Sequence, residues 1–134
     1  MNKIFKCALL IAVCSAVLIG CMTPSRSQLA TADYGTYPTN YEQTVKNYFE
    51  NVLKDPDSAR YRFGSVQKGW SSDGLLGGGK KWYGYIVEVD VNARNGFGGY
   101  TGWESYRLLI SPGDIVTPLS DIDFQMPAMA GYVK

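Results

Sequence analysis

No histidine occurs among the 134 residues, and the three cysteines, Cys7, Cys14 and Cys21, are confined to the first 21 positions. The first absence removes the commonest general base and the commonest zinc ligand together, which argues against histidine-assisted nucleophiles and most zinc chemistry. The second leaves the rest of the chain without a thiol, so a folded domain there relies on its apolar core rather than on disulfides. A charge excess is missing too, with 13 basic residues against 12 acidic ones. Without Lys3 and Lys6 the balance is 11 against 12, which gives no electrostatic reason to expect a nucleic-acid partner.

What is present begins with an address. Lys3 and Lys6 precede an uncharged stretch over residues 7–20 that ends in small residues, the pattern of a secretory leader. A membrane-crossing helix is the competing reading, but these residues at about 1.5 Å each cover roughly 21 Å, short of a hydrocarbon core of about 30 Å. The run Leu18-Ile19-Gly20-Cys21 resembles the lipobox of bacterial lipoproteins. That resemblance implies cleavage before Cys21, a thioether-linked lipid on its sulfur and an acylated amino terminus. Two or three acyl chains make a durable attachment where one holds only marginally. Position 22 is Met, not the Asp that in such lipoproteins often marks inner-membrane retention, so in a Gram-negative host the resemblance implies an outer-membrane anchor. An ordinary signal peptide closing on Cys21 is the alternative.

The chain then divides into a signal peptide (1–20), the lipidated Cys21 with a flexible tether (21–38), one domain (39–120) and a C-terminal tail (121–134), either docked or frayed. The tether is rich in small and polar residues and spans roughly 20–25 Å as a coil. Tyr34 and Tyr37 offer the alternative of packing on the domain. Thr39 and Glu42 have capping-box spacing, and Tyr41, Val45, Tyr48, Phe49, Val52 and Leu53 recur on one face of a helix. Asp55-Pro56 stops it near Lys54, with a short second turn expected through Ala59. Strands are expected around Tyr61, Phe63 and residues 66–70, with a bend or bulge at Gly64. After a loop over residues 71–79, residues 81–91 alternate, with Tyr83, Tyr85, Val87, Val89 and Val91 on one face and Glu88, Asp90 and Asn92 on the other. Residues 103–110 make the partner strand, burying Tyr106, Leu108 and Ile110, and a turn at residues 111–114 leads to a weaker strand at 115–119. The expected fold is α+β: one amphipathic helix packed on a three- to four-stranded antiparallel sheet in two layers. The polar sheet face should point outward with Trp82, Glu88, Asp90, Asn92, Trp103, Ser105 and Arg107.

The connection over residues 92–102 combines four glycines with Phe97 and Tyr100. Glycine lets a backbone approach a ligand closely while aromatic rings supply flat apolar surface, so Asn92, Arg94, Asn95, Phe97, Tyr100, Trp103 and Trp82 are the candidate binding residues; a long hairpin whose glycines only serve its bends is the plainer reading. Gly74, Gly79 and Lys80 fit part of a phosphate loop, but Lys81 stands where Ser or Thr is required and opens a strand. Glu88 and Asp90 sit about 7 Å apart on one strand face, a spacing open to acid chemistry and equally routine on exposed strands. Arg94 and Arg107 can hold an acidic group or pair with Glu88, Asp90 or Glu104. No catalytic or metal-binding residues are assigned, and no cofactor beyond the covalent lipid on Cys21.

The run Asp55-Pro56-Asp57-Ser58-Ala59-Arg60-Tyr61 together with the glycine loop resembles a pairing in small bacterial and prophage-encoded envelope lipoproteins. The helix-then-strands plan is similar in architecture to outer-membrane lipoproteins of the SmpA and BamE type. These readings converge on a non-enzymatic binding module in the cell envelope, held at the outer membrane facing the periplasm and contacting an envelope protein or peptidoglycan. Two alternatives remain: a prophage-type lipoprotein that masks an outer-membrane receptor against superinfection, and a cell-wall enzyme using Asp and Glu.

Overall fold

The computed structural model describes residues 23–73, 78–119 and 129–133. Cys21, the leader and the lipobox lie outside the described residues, as do Gly74 and the greater part of the tail. In chain order the elements are α1 (Arg26–Thr31), α2 (Tyr41–Val52), β1 (Asp55–Ser72), β2 (Lys81–Arg94), β3 (Glu104–Ser111), β4 (Ile115–Pro118) and β5 (Met129–Tyr132). The strands form one curled antiparallel sheet in the order β4-β3-β2-β1-β5. The class is α+β, with five strands among the described residues rather than three or four, the additional one supplied by residues 129–132.

α2 forms where the apolar spacing places it and buries Val45 and Phe49 completely. Its start differs from the expected capping box. Asn40 is the N-cap, without a side-chain bond to the helix, and the Thr39 hydroxyl donates to the Asn40 side chain at 3.3 Å instead. Glu42 pairs with Lys46 at 3.9 Å one turn on. Val52, expected on the buried stripe, is 53% exposed because the helix ends there and the chain turns away. The capping box belongs to α1, where Ser25 and Gln28 bond each other's backbone amides inside the expected tether.

No second helical turn follows Asp55. The chain enters β1 directly, and Pro56 is tolerated because β5 pairs only with residues 69–72, leaving the neighbouring edge open at this end. The pairing shifts by three extra β1 residues between Asp55 and Arg60 and by one between Phe63 and Val66, so of the bend or bulge expected at Gly64 it is a β-bulge that forms. At the other end β1 continues through Ser72, two residues into the expected loop.

Val87, Val89, Val91, Leu108 and Ile110 meet Val45 and Phe49 in the main core, with Phe49 edge-on to Tyr106 at 5.1 Å. Beyond the helix the same face is covered by the segment between α1 and α2. Tyr34, only 9% exposed, meets Tyr83 edge-on, Tyr37 meets Tyr85, and the Tyr34 hydroxyl donates to the Leu29 carbonyl at 2.8 Å. The Tyr34–Tyr37 part of the expected tether is therefore docked on the sheet, while α1 buries no residue.

The opposite sheet face is not the open polar surface expected. Ile86 and Leu109, cross-strand partners, form a second core with Leu119, and Trp82, Ala130 and Tyr132 pack against it. Gly69 and Gly84 face each other across β1 and β2; a Cβ on Gly84 would collide with the Ile110 carbonyl oxygen and one on Gly69 with the Ile86 side chain. No helix among the described residues is long and apolar enough to cross a membrane.

Candidate functional site

The β2–β3 hairpin and the start of β1 are built into one structure at the end of the sheet remote from β5. Ser58 joins them. Its hydroxyl donates to the Asp55 carbonyl at 2.7 Å and accepts from the Arg94 amide at 2.9 Å, while the Tyr100 hydroxyl donates to the Ser58 carbonyl at 3.3 Å. The two segments singled out in the sequence thus meet, although no local pattern relates them.

Within the hairpin Asn95 organises the tip. Its side-chain oxygen accepts from the amides of Phe97 at 3.0 Å and Gly99 at 3.1 Å, and its own amide donates to the Gly99 carbonyl at 2.8 Å. Gly98 sits at φ 82°, a value that side chains disfavour, so the tight return needs glycine there. Asn92 braces the base by accepting from the Gly102 amide at 3.2 Å. The outcome is a fixed turn on which Phe97 is 98% exposed. A ring of that size left in water on a braced turn has no packing role in the isolated chain.

Tyr100 and Trp103 are also exposed, at 41% and 40%, but each has an arginine against its face. The guanidiniums of Arg60 and Arg94 lie 4.9 and 5.3 Å from the Tyr100 centroid, and that of Arg62 lies 3.8 Å from the Trp103 centroid. Each such contact contributes about 0.5–1 kcal/mol at exposed positions. The cleft beside Tyr100 has a volume of about 360 Å³ and is lined by Asp55, Asp57, Ser58, Arg60 and Arg94.

Trp82, expected beside the hairpin, is not there. It lies ten residues before Asn92 on the same strand, roughly 33 Å away at about 3.3 Å per residue. There it packs on the second core with Lys80 5.2 Å from its ring. Arg60, Arg62, Asp55 and Asp57 were missed as site residues. Their signal was available, since Arg60 and Arg62 alternate with Tyr61 and Phe63 and so fall on the face away from α2.

The carboxylates suspected of acid chemistry serve separate partners. Glu88 accepts from Ser65 at 2.9 Å and from the Tyr132 hydroxyl, and those bonds, Tyr132 first, hold its carboxyl below the usual range. Asp90 accepts from Ser105 at 2.6 Å. Glu104 accepts from Tyr106 at 2.6 Å, in register with Val91 on the α2 side of the sheet. Burial first, then that bond, pushes the Tyr106 hydroxyl up to about 12. The three carboxyls do not converge on one cleft. Among the described residues no group of three or more metal-ligating side chains occurs.

A second cleft, of about 300 Å³, lies between residues 34–40 and the β3–β4 turn, where the buried Ser111 hydroxyl has no hydrogen-bond partner among the described residues. Comparison with family models, with curated proteins and with solved structures finds no match for this chain.

Proposed function

We propose that this chain is a lipid-anchored, non-enzymatic binding module of the cell envelope, attached through Cys21 to the outer membrane and docking through the residue 92–102 hairpin. The observation that carries the docking role is Phe97, 98% exposed on a turn braced by Asn95. An exposed aromatic on a preorganised loop adds apolar contact at little ordering cost when a partner covers it. Tyr100, Trp103 and their arginines extend the surface with the aromatic and guanidinium groups that interfaces favour. The lipobox-like run at residues 18–21 supports the anchor, and the partner is an envelope protein or peptidoglycan.

A photo-crosslinking residue at position 97 of the full chain in cells should capture a discrete envelope partner. Phe97→Ala, combined with Trp103→Ala, should abolish partner co-purification while circular dichroism stays unchanged. Unaltered co-purification by the double variant would remove the docking role. Cys21→Ser should release the protein from membranes, and membrane retention identical to the parent would remove the anchor.

A further inference from the structure

The cleft beside the hairpin holds opposite charges that do not neutralise one another. Asp55, Asp57, Arg60 and Arg94 line one cavity of about 360 Å³, yet none of their nitrogen–oxygen distances falls within 4.0 Å. Both guanidiniums lie against the Tyr100 ring, at 4.9 and 5.3 Å. Ser58, bonded to the Asp55 carbonyl and the Arg94 amide, fixes how far the two backbones stand apart. Two anions and two cations thus line one open cleft without forming a direct ion pair with one another.

That arrangement selects a class of ligand. A simple anion would gain the arginines but face two carboxylates, and a simple cation would gain the carboxylates but face two guanidiniums. A group carrying both charges close together satisfies both. Its carboxylate accepts from the planar N–H forks of Arg60 and Arg94, and its ammonium donates to Asp55 and Asp57, all as charge-assisted bonds. We propose that this cleft binds a zwitterionic amino-acid head group, the adjacent ammonium and carboxylate of a free amino acid or of an uncrosslinked diamino-acid residue in a peptidoglycan stem peptide. The assignment rests on the docking role proposed above and narrows it.

Saturation-transfer NMR on the full chain in detergent micelles, with meso-diaminopimelate as the probe, tests it. Saturable binding is expected, with pimelate (no ammonium) and cadaverine (no carboxylate) each competing at least roughly tenfold less well, the scale of losing a hydrogen-bonded charge. The double variant Arg60→Ala with Arg94→Ala should weaken the probe by about tenfold or more, whereas Lys46→Ala on α2 should not. Should the double variant fail to fold, the exposed Asp57→Asn decides, with a loss of several-fold expected. No saturable transfer, or equal affinity in parent and folded cleft variants, overturns the proposal; crosslinking from position 97 reads the docking role separately. Co-sedimentation with purified sacculi, released by the probe, assigns the cell-wall source. Equal binding of free alanine without co-sedimentation assigns free amino acids.

Discussion

At the end of the sheet formed by residues 69–72 of β1 and 81–84 of β2, neighbours surround the chain: β5 pairs alongside, the docked Tyr34 segment covers one face and the second core lies on the other. At the opposite end, residues 55–60 and 92–94 run out beyond the start of β3 alongside the returning hairpin, where Tyr100 bridges Arg94, and this end carries arginines and exposed rings. The closed end buries apolar surface, which stabilises the fold, and the open end leaves apolar and charged groups exposed, which suits the proposed docking role. Under the docking role proposed above, the side chains that hold the fold together and those offered for contact are different ones, so each should be alterable without the other.

The largest expected effect contrasts a core ring, packed against Tyr61 and Tyr106, with an exposed ring on the hairpin. Phe49→Ala, in the fully buried core, should destabilise by about 3–5 kcal/mol in urea unfolding, while Phe97→Ala on the open end should stay within about 0.5 kcal/mol. Comparable losses in the two would break the comparison. Next in size is Tyr132→Phe, which removes the hydroxyl bonded to Glu88 and should cost about 1 kcal/mol.

The same pair sharpens the comparison through pH. Glu88 titrates below its ordinary value of 4.5 in the folded chain, so its contribution is present above that value and lost as pH falls through the depressed one. Urea melts at descending pH should lose less stability below pH 4.5 in Tyr132→Phe than in the parent. A further effect is alkaline. Tyr106 is raised from 10.0 to about 12, so the stability it contributes is present below pH 10 and lost as pH rises towards 12. Tyr106→Phe should flatten that limb, and an unchanged limb would assign the alkaline loss elsewhere.

Local pattern made much of the fold legible. The apolar spacing of Val45 and Phe49 marks α2, and the alternation of Val87, Val89 and Val91 marks the face it covers. The second core was signalled more faintly, by Ile86 and Leu109 standing at outward-facing positions among polar residues. One misplaced apolar residue reads as noise, and only the pairing of Ile86 with Leu109 makes the two a core. The candidate site was half legible: the glycine-rich hairpin, Phe97 and Arg94 were evident, whereas Arg60 and Arg62 were passed over because an alternating charge reads as an ordinary solvated face.

The amino-acid order by itself determined the α+β class, the helix stripe, the valine face, the bulge near Gly64 and the aromatic hairpin, because each depends on periodicity or backbone freedom within a few residues. Tertiary structure alone decided the docked Tyr34 segment, the fifth strand, the removal of Trp82 from the hairpin and the meeting of Ser58 with Arg94 and Glu88 with Tyr132. Those partners stand 36 and 44 positions apart. Contacts at such separations are selected by which apolar faces close over one another, and no local spacing records that choice.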